Sequence, residues 1–403
     1  MKKEIPPTNG LSIELRDLFS FKKETDLSTQ LSHLLNIPKP ALTCSGTVAF
    51  IVGLETLQEI HPHKNQVIIP AWTCPLVALA IEKIGLMPII CDIEIDRLGF
   101  DIHQLKQLIN ANTLAIVVTH FAGLAYDFTQ VQEIAKASHT FIIEDAAQSM
   151  GTTIQQQSVG LIGDIAFFSM AFGKGLTSAE GGVLFSQHAE IHQKLHENSK
   201  NLPVLRNWEI KRSFELIGYS LLYRPSSLAW IYGNPLRTAL TNNDEITAVG
   251  DDFDLDSIPI HQLGKWRSQV ASNASTRLVQ HWKDAQNRAQ KRIAQLQLLP
   301  NLHIFTETPT TQATYPFLIC LVNDAITCKS ILNQLWMSGL GITKLFVRSI
   351  TQYPALAHLQ ANTPHATSFA ERSFTISNSV WLDEESFQKI FKILEHILTA
   401  QNS

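Results

Sequence analysis

Charge is scarce in this chain. Of its 403 residues, 17% are Asp, Glu, Lys or Arg against 45% hydrophobic, and the formal net charge is −4. That balance is too weak to attract a polyanion, and the basic residues are scattered, so no nucleic-acid partner is expected. Cysteine is scarcer still: Cys44, Cys74, Cys91, Cys320 and Cys328 lie far apart, with no CxxC and no Cys/His ligand cluster. A disulfide framework, a structural zinc site and a bound metal are therefore not expected. No stretch reaches the roughly 18 uninterrupted apolar residues that a membrane-spanning helix needs. The opening MKKEIPPTNG carries two lysines with no apolar run behind them, so it does not read as a secretory signal, and the cytoplasm is the expected compartment. Internal repeats and low-complexity tracts are also lacking.

The chain does have the length for two domains of unequal size. From about Pro40 to Ser186, short β-rich runs alternate with amphipathic ones. Val67–Pro70, Pro88–Cys91, Ala115–Thr119, Phe141–Asp145 and Ala166–Met170 lack polar alternation, as strands covered on both faces do. Leu76–Ile84, Ile102–Ile109 and Phe128–Ala137 read as the helices between them. The fold class expected is α/β, a mostly parallel seven-stranded sheet sandwiched by helices, with a smaller C-terminal α+β domain. The organisation expected is an N-terminal segment over 1–39, a large ligand-binding domain over 40–265 with an aromatic insert at about 201–260, and a long helix plus small domain over 266–403. The long helix is predicted over Ser268–Leu298, and strand-like Tyr315–Val322 and helices near Lys329–Met337 and Glu384–Leu398 follow it.

Ligands bind such sheets outside the carboxyl ends of the strands. Three segments fall there: Ser45-Gly46-Thr47, Glu144-Asp145-Ala146-Ala147-Gln148, and Phe168-Ser169 running on to Gly173-Lys174-Gly175. Together they match the needs of pyridoxal phosphate. Ser45-Gly46-Thr47 suits either a plain helix cap or a cradle in which amides and the Thr47 hydroxyl hold a phosphate. Asp145 suits either a helix cap or the carboxylate that keeps a pyridine nitrogen protonated. Lys174 stands in an apolar loop with no other charge between Asp164 and Glu180. It is either a surface lysine with a buried stem or an amine whose pKa is lowered by desolvation. Ser169 offers a second phosphate hydroxyl.

At these residues the sequence resembles the DegT/StrS family of pyridoxal-phosphate nucleotide-sugar aminotransferases, which have the type I aspartate-aminotransferase fold. The resemblance runs through Ser45–Thr47, Val67–Thr73, Gly85–Ile93, His120–Gly123, Ile143–Gly151, Val159–Met170, Lys174 and Glu180–Gly182. It is looser at Leu335–Phe346. It implies that Lys174 attaches the cofactor and shuttles the proton, that Asp145 pairs with the pyridinium, and that Gln148 sits at the ring. Gly46, Thr47 and Ser169 would hold the phosphate. Family members acting as dehydratases replace the lysine with histidine, so a retained lysine favours amino transfer. The implied substrates are small molecules: an amino donor, by family habit glutamate, and a keto sugar on a nucleotide, used for surface polysaccharide or secondary metabolites. A keto acid or lipid-like acceptor, or a non-catalytic relative, are the alternatives. A homodimer with shared active sites is implied as well.

Several positions depart from the family. Cys74 holds the place where members stack an aromatic residue on the cofactor, and Trp72 is the candidate to replace it. Gly175 stands where Asn often follows the lysine. The partner-subunit motif Asn-Tyr-Arg has only the echo Lys265-Trp266-Arg267, in which Arg267 would reach the neighbouring active site. His120 lies either near the site or in a structural hydrogen bond. Phe214–Leu240, with five aromatic side chains, has no family counterpart; it packs on its own domain or partner, covers a substrate tail or touches a membrane surface.

Overall fold

The apolar runs form a seven-stranded sheet. In this computed structural model, which describes residues 3–19 and 26–400, the strand order is Ala41–Thr43, Gly182–Phe185, Ile165–Ser169, Phe141–Asp145, Thr113–Thr119, Gln66–Pro70 and Met87–Cys91. Residues 1, 2 and 20–25 of the expected N-terminal segment lie outside the described residues. Only Gly182–Phe185 runs against the rest, paired antiparallel on both sides, so the sheet is mostly parallel.

Alternation along each strand explains the two helical layers. Val67 and Ile69 share a core with Phe50 and Leu54 of the helix Gly46–Ile60. Their neighbour Ile68 packs instead with Leu105 and Val131, from the helices Ile102–Leu108 and Thr129–Ala137. A run with both faces covered has no place for polar alternation.

The small sheet, Leu302–Ile304, Phe317–Val322, Ser373–Ser377 and Ile342–Thr343, is antiparallel throughout. The helices Ala325–Leu335 and Glu384–Ala400 pack against each other beside it. The helix predicted over Ser268–Leu298 is instead two, Lys265–Ser275 and Leu278–Leu296. Its periodicity hid a tertiary tie: Arg277 turns at the break to meet Asp17 at 2.8 and 2.7 Å, and Asn273 Nδ2 donates to Asp17 O at 2.7 Å.

The insert is helical, over Arg206–Leu222, Pro225–Ile231, Gly233–Thr241 and Glu245–Val249. Its inner face packs on its own chain: Tyr219 stacks on Phe172 and Tyr223 at 5.1 and 4.3 Å, and Tyr223 Oη donates to Thr8 O. Phe214 and Trp230 stay exposed. Among the described residues no helix is long and apolar enough to cross a membrane.

One buried carboxylate joins the loops at the carboxyl edge. Glu144 is inaccessible to solvent. It accepts from His120 Nε2 at 2.9 Å and from the amides of Gly160, Ile162 and Gly163 at 2.7, 2.8 and 2.5 Å. The amide of Tyr126 donates to His120 Nδ1, which places the ring proton on Nε2, facing Glu144. His120 is thus structural. Burial pushes the Glu144 carboxyl up, but these hydrogen bonds outweigh it and hold the group below its ordinary range. Glu144→Ala strands four donors at once and should cost about 3–5 kcal/mol, read as a lower urea midpoint. Glu144→Gln, which keeps an acceptor, should cost less.

Candidate active site

Six of the eight residues singled out from the sequence line one cavity of about 410 Å³: Gly46, Thr47, Asp145, Gln148, Ser169 and Lys174. They come from separate segments, brought together because neighbouring strands end at one edge. Asp145 pairs with Phe167 in register, and the next turn of the chain delivers Ser169. Ala41–Thr43 runs the same way two strands over, so the helix beginning at Gly46 starts beside Ser169. Glycine suits that approach, since a Cβ on residue 46 would lie 3.0 Å from Ser169 Cβ and 3.3 Å from its Oγ and would push the serine back.

The helix start is an open anion cradle. Ser45 Oγ accepts from the Val48 amide at 3.1 Å, while the amides of Gly46 and Thr47 have no partner among the described residues. Such free first-turn amides, with the macrodipole behind them, suit a phosphate. Two further cavity hydroxyls, Thr73 Oγ1 and Thr119 Oγ1, are buried without a partner.

Lys174 follows Gly173, whose φ of +76° turns the loop inward. Its Nζ has no ion pair or hydrogen bond among the described residues. Burial lowers its pKa, against the opposing pull of the carboxyl groups of Asp145 and Asp251. Asp145 is 5% exposed and takes one hydrogen bond, from the Ala147 amide at 3.0 Å. Burial raises its pKa, and the Ala147 amide, Lys174 and His120 only partly counter that. A carboxylate so short of cationic partners suits a protonated ring nitrogen. Gln148 Oε1 accepts from the Ala122 amide. The residues present therefore fit pyridoxal phosphate at each point the cofactor requires.

Two expected site residues lie elsewhere. Trp72 does not line the cavity: it fills the seam between the two sheets, 5.1, 5.2 and 4.7 Å from Phe121, Phe346 and Phe369, with Nε1 donating to Phe346 O. Cys74 lines the cavity in its stead, and burial pushes that thiol up to about 12, so it is neutral. The aromatic rings lining the cavity are Phe50, Phe167, Phe253 and Phe346. Arg267 is fully buried within its own chain rather than turned outward. It donates from Nε to Glu209 Oε2 at 2.9 Å, pairs with Glu209 Oε1, and holds Ser178 O and Glu180 O at 2.8 and 2.6 Å. It braces the loop behind Glu180, itself a cavity residue.

Asp251 was missed by the sequence reading. It lies in the insert, follows the helix end at Gly250, and lines the cavity. Tyr353 Oη donates to its Oδ2 at 2.7 Å. No local motif marks it, because its partner is 102 residues away.

A larger groove, about 1070 Å³, meets this cavity at Thr119 but holds none of the residues singled out. Its lining includes Glu94, Asp96, Asp101 and Asp127.

Residues 17–218, half of the chain, match the profile of the DegT/DnrJ/EryC1/StrS aminotransferase family. The chain belongs to that family. It is 28% identical over 166 residues to a GDP-perosamine synthase of Vibrio cholerae, covering 41% of this chain and 45% of that protein. It is 32% identical over 170 residues to a UDP-N-acetyl-3-dehydro-α-D-glucosamine 3-aminotransferase of Acidithiobacillus ferrooxidans, covering 42% of this chain and 46% of that one. The matches thus span about half the length of these curated relatives. Among solved structures, a putative sugar aminotransferase of Streptococcus pneumoniae in its PMP form superposes with a TM-score of 0.74 at 17% identity, over 99% of this chain and 100% of that one. PseC of Helicobacter pylori, an aminotransferase involved in pseudoaminic acid biosynthesis, gives the same values. At that identity the likeness is one of fold, here the type I aminotransferase fold.

Burial pushes the Asp251 carboxyl up to about 7 from 3.8; Tyr353 and Lys174 pull it down and Asp252 adds to the rise. Ionising it in the folded chain is therefore costly. The penalty is absent below about pH 4 and complete above about pH 7. Asp251→Asn should stabilise the cofactor-free protein at pH 8 by about 2–4 kcal/mol. Calorimetric unfolding should show that gain shrinking as the pH falls toward 4.

Proposed function

We propose that this chain is a pyridoxal-phosphate aminotransferase that moves an amino group from an amino acid, glutamate by family habit, to the keto group of a nucleotide-linked sugar. The observation that carries the reading is Lys174: an unpaired, desolvated amine sharing one cavity with the buried Asp145 and an open helix start. When bound, pyridoxal phosphate supplies an electron sink for the carbon that loses its proton.

The chain's own residues do the rest. Gly46 and Thr47 amides and the Thr47 and Ser169 hydroxyls would hold the phosphate. Asp145 would hold the protonated ring nitrogen, and that added cation would draw its pKa back down. Gln148 would border the ring. Lys174 Nζ, whose pKa burial lowers, is the group able to take a proton from the donor carbon and return one to the acceptor carbon. The walls formed by Leu76, Val77, Phe253 and Phe346 keep water from that exchange.

A sugar nucleotide as acceptor is supported by the names of the relatives and by the cavity's hydroxyl-rich lining. We place the reaction in polysaccharide or secondary-metabolite biosynthesis. Lys174 is the one cation lining the cavity among the described residues, which leaves a diphosphate without a basic partner in one protomer. That supports a homodimer whose second subunit completes the site, though not through Arg267. Five free cysteines agree with a reducing, cytoplasmic setting.

Lys174→Ala should lose the visible chromophore of the cofactor-loaded protein and reduce turnover by at least about 10³-fold. A Lys174→Ala protein that still transaminates would refute the mechanism. Glutamate should bleach the wild-type chromophore; 2-oxoglutarate should restore it by reversing that step, and keto sugars, rather than other keto acids, should restore it as acceptors.

A further inference from the structure

Asp251 is a carboxylate with no assigned work. It is 8% exposed, yet it lines the cavity that holds Lys174 and Asp145. Tyr353 occupies Oδ2; Oδ1 has no hydrogen bond among the described residues. The wall around it is apolar, made by Val249, Phe253, Leu345 and Phe346. When ionised, the carboxylate accepts hydrogen bonds and donates none, so Oδ1 is an acceptor facing the cavity that a donor on a ligand can fill.

The pair is built rather than incidental. Tyr353 follows a turn capped reciprocally by Ser349 and Gln352. That turn is pinned where the strand Gln66–Pro70 ends, since the Ile350 amide donates to Ala71 O at 2.8 Å. Asp251 arrives from the insert, through the Gly250 cap and its own amide bond to Ile246 O at 3.0 Å. Two parts of the chain, far apart in sequence, are thus each anchored so that the acid meets the cavity.

Charge decides what it recognises. Glu180 is already paired with Arg212 and takes a hydrogen bond from Trp208, so the unpaired acids facing the cavity are Asp145 and Asp251, against Lys174 alone, and the Asp251 wall disfavours a phosphate or carboxylate. The donor's amino group is the reacting group and is needed at the Lys174 end. A sugar hydroxyl remains, neutral and able to donate. We propose that Asp251, oriented by Tyr353, is the specificity group for the acceptor, taking a hydrogen bond from one hydroxyl of its sugar ring; this rests on the aminotransferase reading above. Tyr353 is then a positioning residue.

The test uses cofactor-loaded full-length protein and sugars that cannot react. UDP-N-acetylglucosamine, GDP-mannose and their analogues with fluorine replacing one hydroxyl at a time are titrated calorimetrically into wild type, Asp251→Ala and Tyr353→Phe. Fluorine cannot donate, so at one ring position it should weaken wild-type binding about ten- to a hundredfold and leave Asp251→Ala indifferent. Tyr353→Phe, which retains the carboxylate, should show a reduced penalty at the same position. The glutamate half-reaction, followed by bleaching, should fall far less in Asp251→Ala than the acceptor half-reaction. Equal fluorine penalties in wild type and Asp251→Ala at every position would overturn the assignment, as would a defect confined to the glutamate half-reaction. If wild type bleaches with glutamate yet binds neither sugar nucleotide, the acceptor class fails and this assignment with it. If wild type binds the sugars and only the coupling is missing, the role of Asp251 alone fails.

Discussion

Everything near the cavity depends on the four hydrogen bonds that end on Glu144. Strand alternation sends Glu144 and Asp145 to opposite faces of one buried strand. One of these adjacent carboxylates is fully satisfied and the other nearly unsatisfied. Glu144 gathers His120 and the amides of Gly160, Ile162 and Gly163, which fixes the loops on either side of the strand. With those loops fixed, the strand Ile165–Ser169 keeps its register on Phe141–Asp145. Asp145 can then be held in place by the backbone while its carboxylate stays short of partners. A satisfied buried charge supplies the rigidity that an unsatisfied one needs.

Burial then sets the chemistry. The same desolvation that raises Asp145 lowers Lys174, because removing water disfavours whichever form is charged. Two groups of opposite type are thereby both moved toward neutrality without touching each other. A direct salt bridge between them would have cancelled this, holding the lysine protonated and the carboxylate ionised. An anionic ligand at the helix start and a cationic ring at Asp145 would reverse the shift locally.

The parts of this arrangement that were legible in the sequence are those encoded locally. Uninterrupted apolar strands and the residues that follow them, Asp145 and Ser169 above all, could be read because strand, edge and ligand position are linked by topology. Gly46, Thr47 and Lys174 were legible for the same reason. The failures share a different cause. Trp72 and Arg267 have the right residue type in the right stretch, but each is claimed by a partner far along the chain: Trp72 by Phe346 and Phe369, Arg267 by Glu209. The helix break at Arg277 was hidden by its bond to Asp17. Asp251 lies at the opposite extreme, a residue in a stretch without motif that becomes part of the site only because Tyr353 meets it.

The insert and the N-terminal segment are therefore not mere cover. The loop carrying Lys174 is held from outside the sheet: the Leu11 amide donates to Gly175 O at 2.9 Å, and Tyr219 of the insert stacks on Phe172. The N-terminal strap is itself fixed by the insert, with the Glu4 amide donating to Pro225 O and Arg237 pairing with Glu4 at 2.6 Å. A lysine whose pKa is set by exclusion of water keeps that pKa only while its loop stays closed, and a glycine-flanked loop does not close itself. The insert clamps this loop with its aromatic face and, a few turns later, delivers Asp251 to the cavity. The same element thus holds the loop of Lys174 and forms part of the cavity wall.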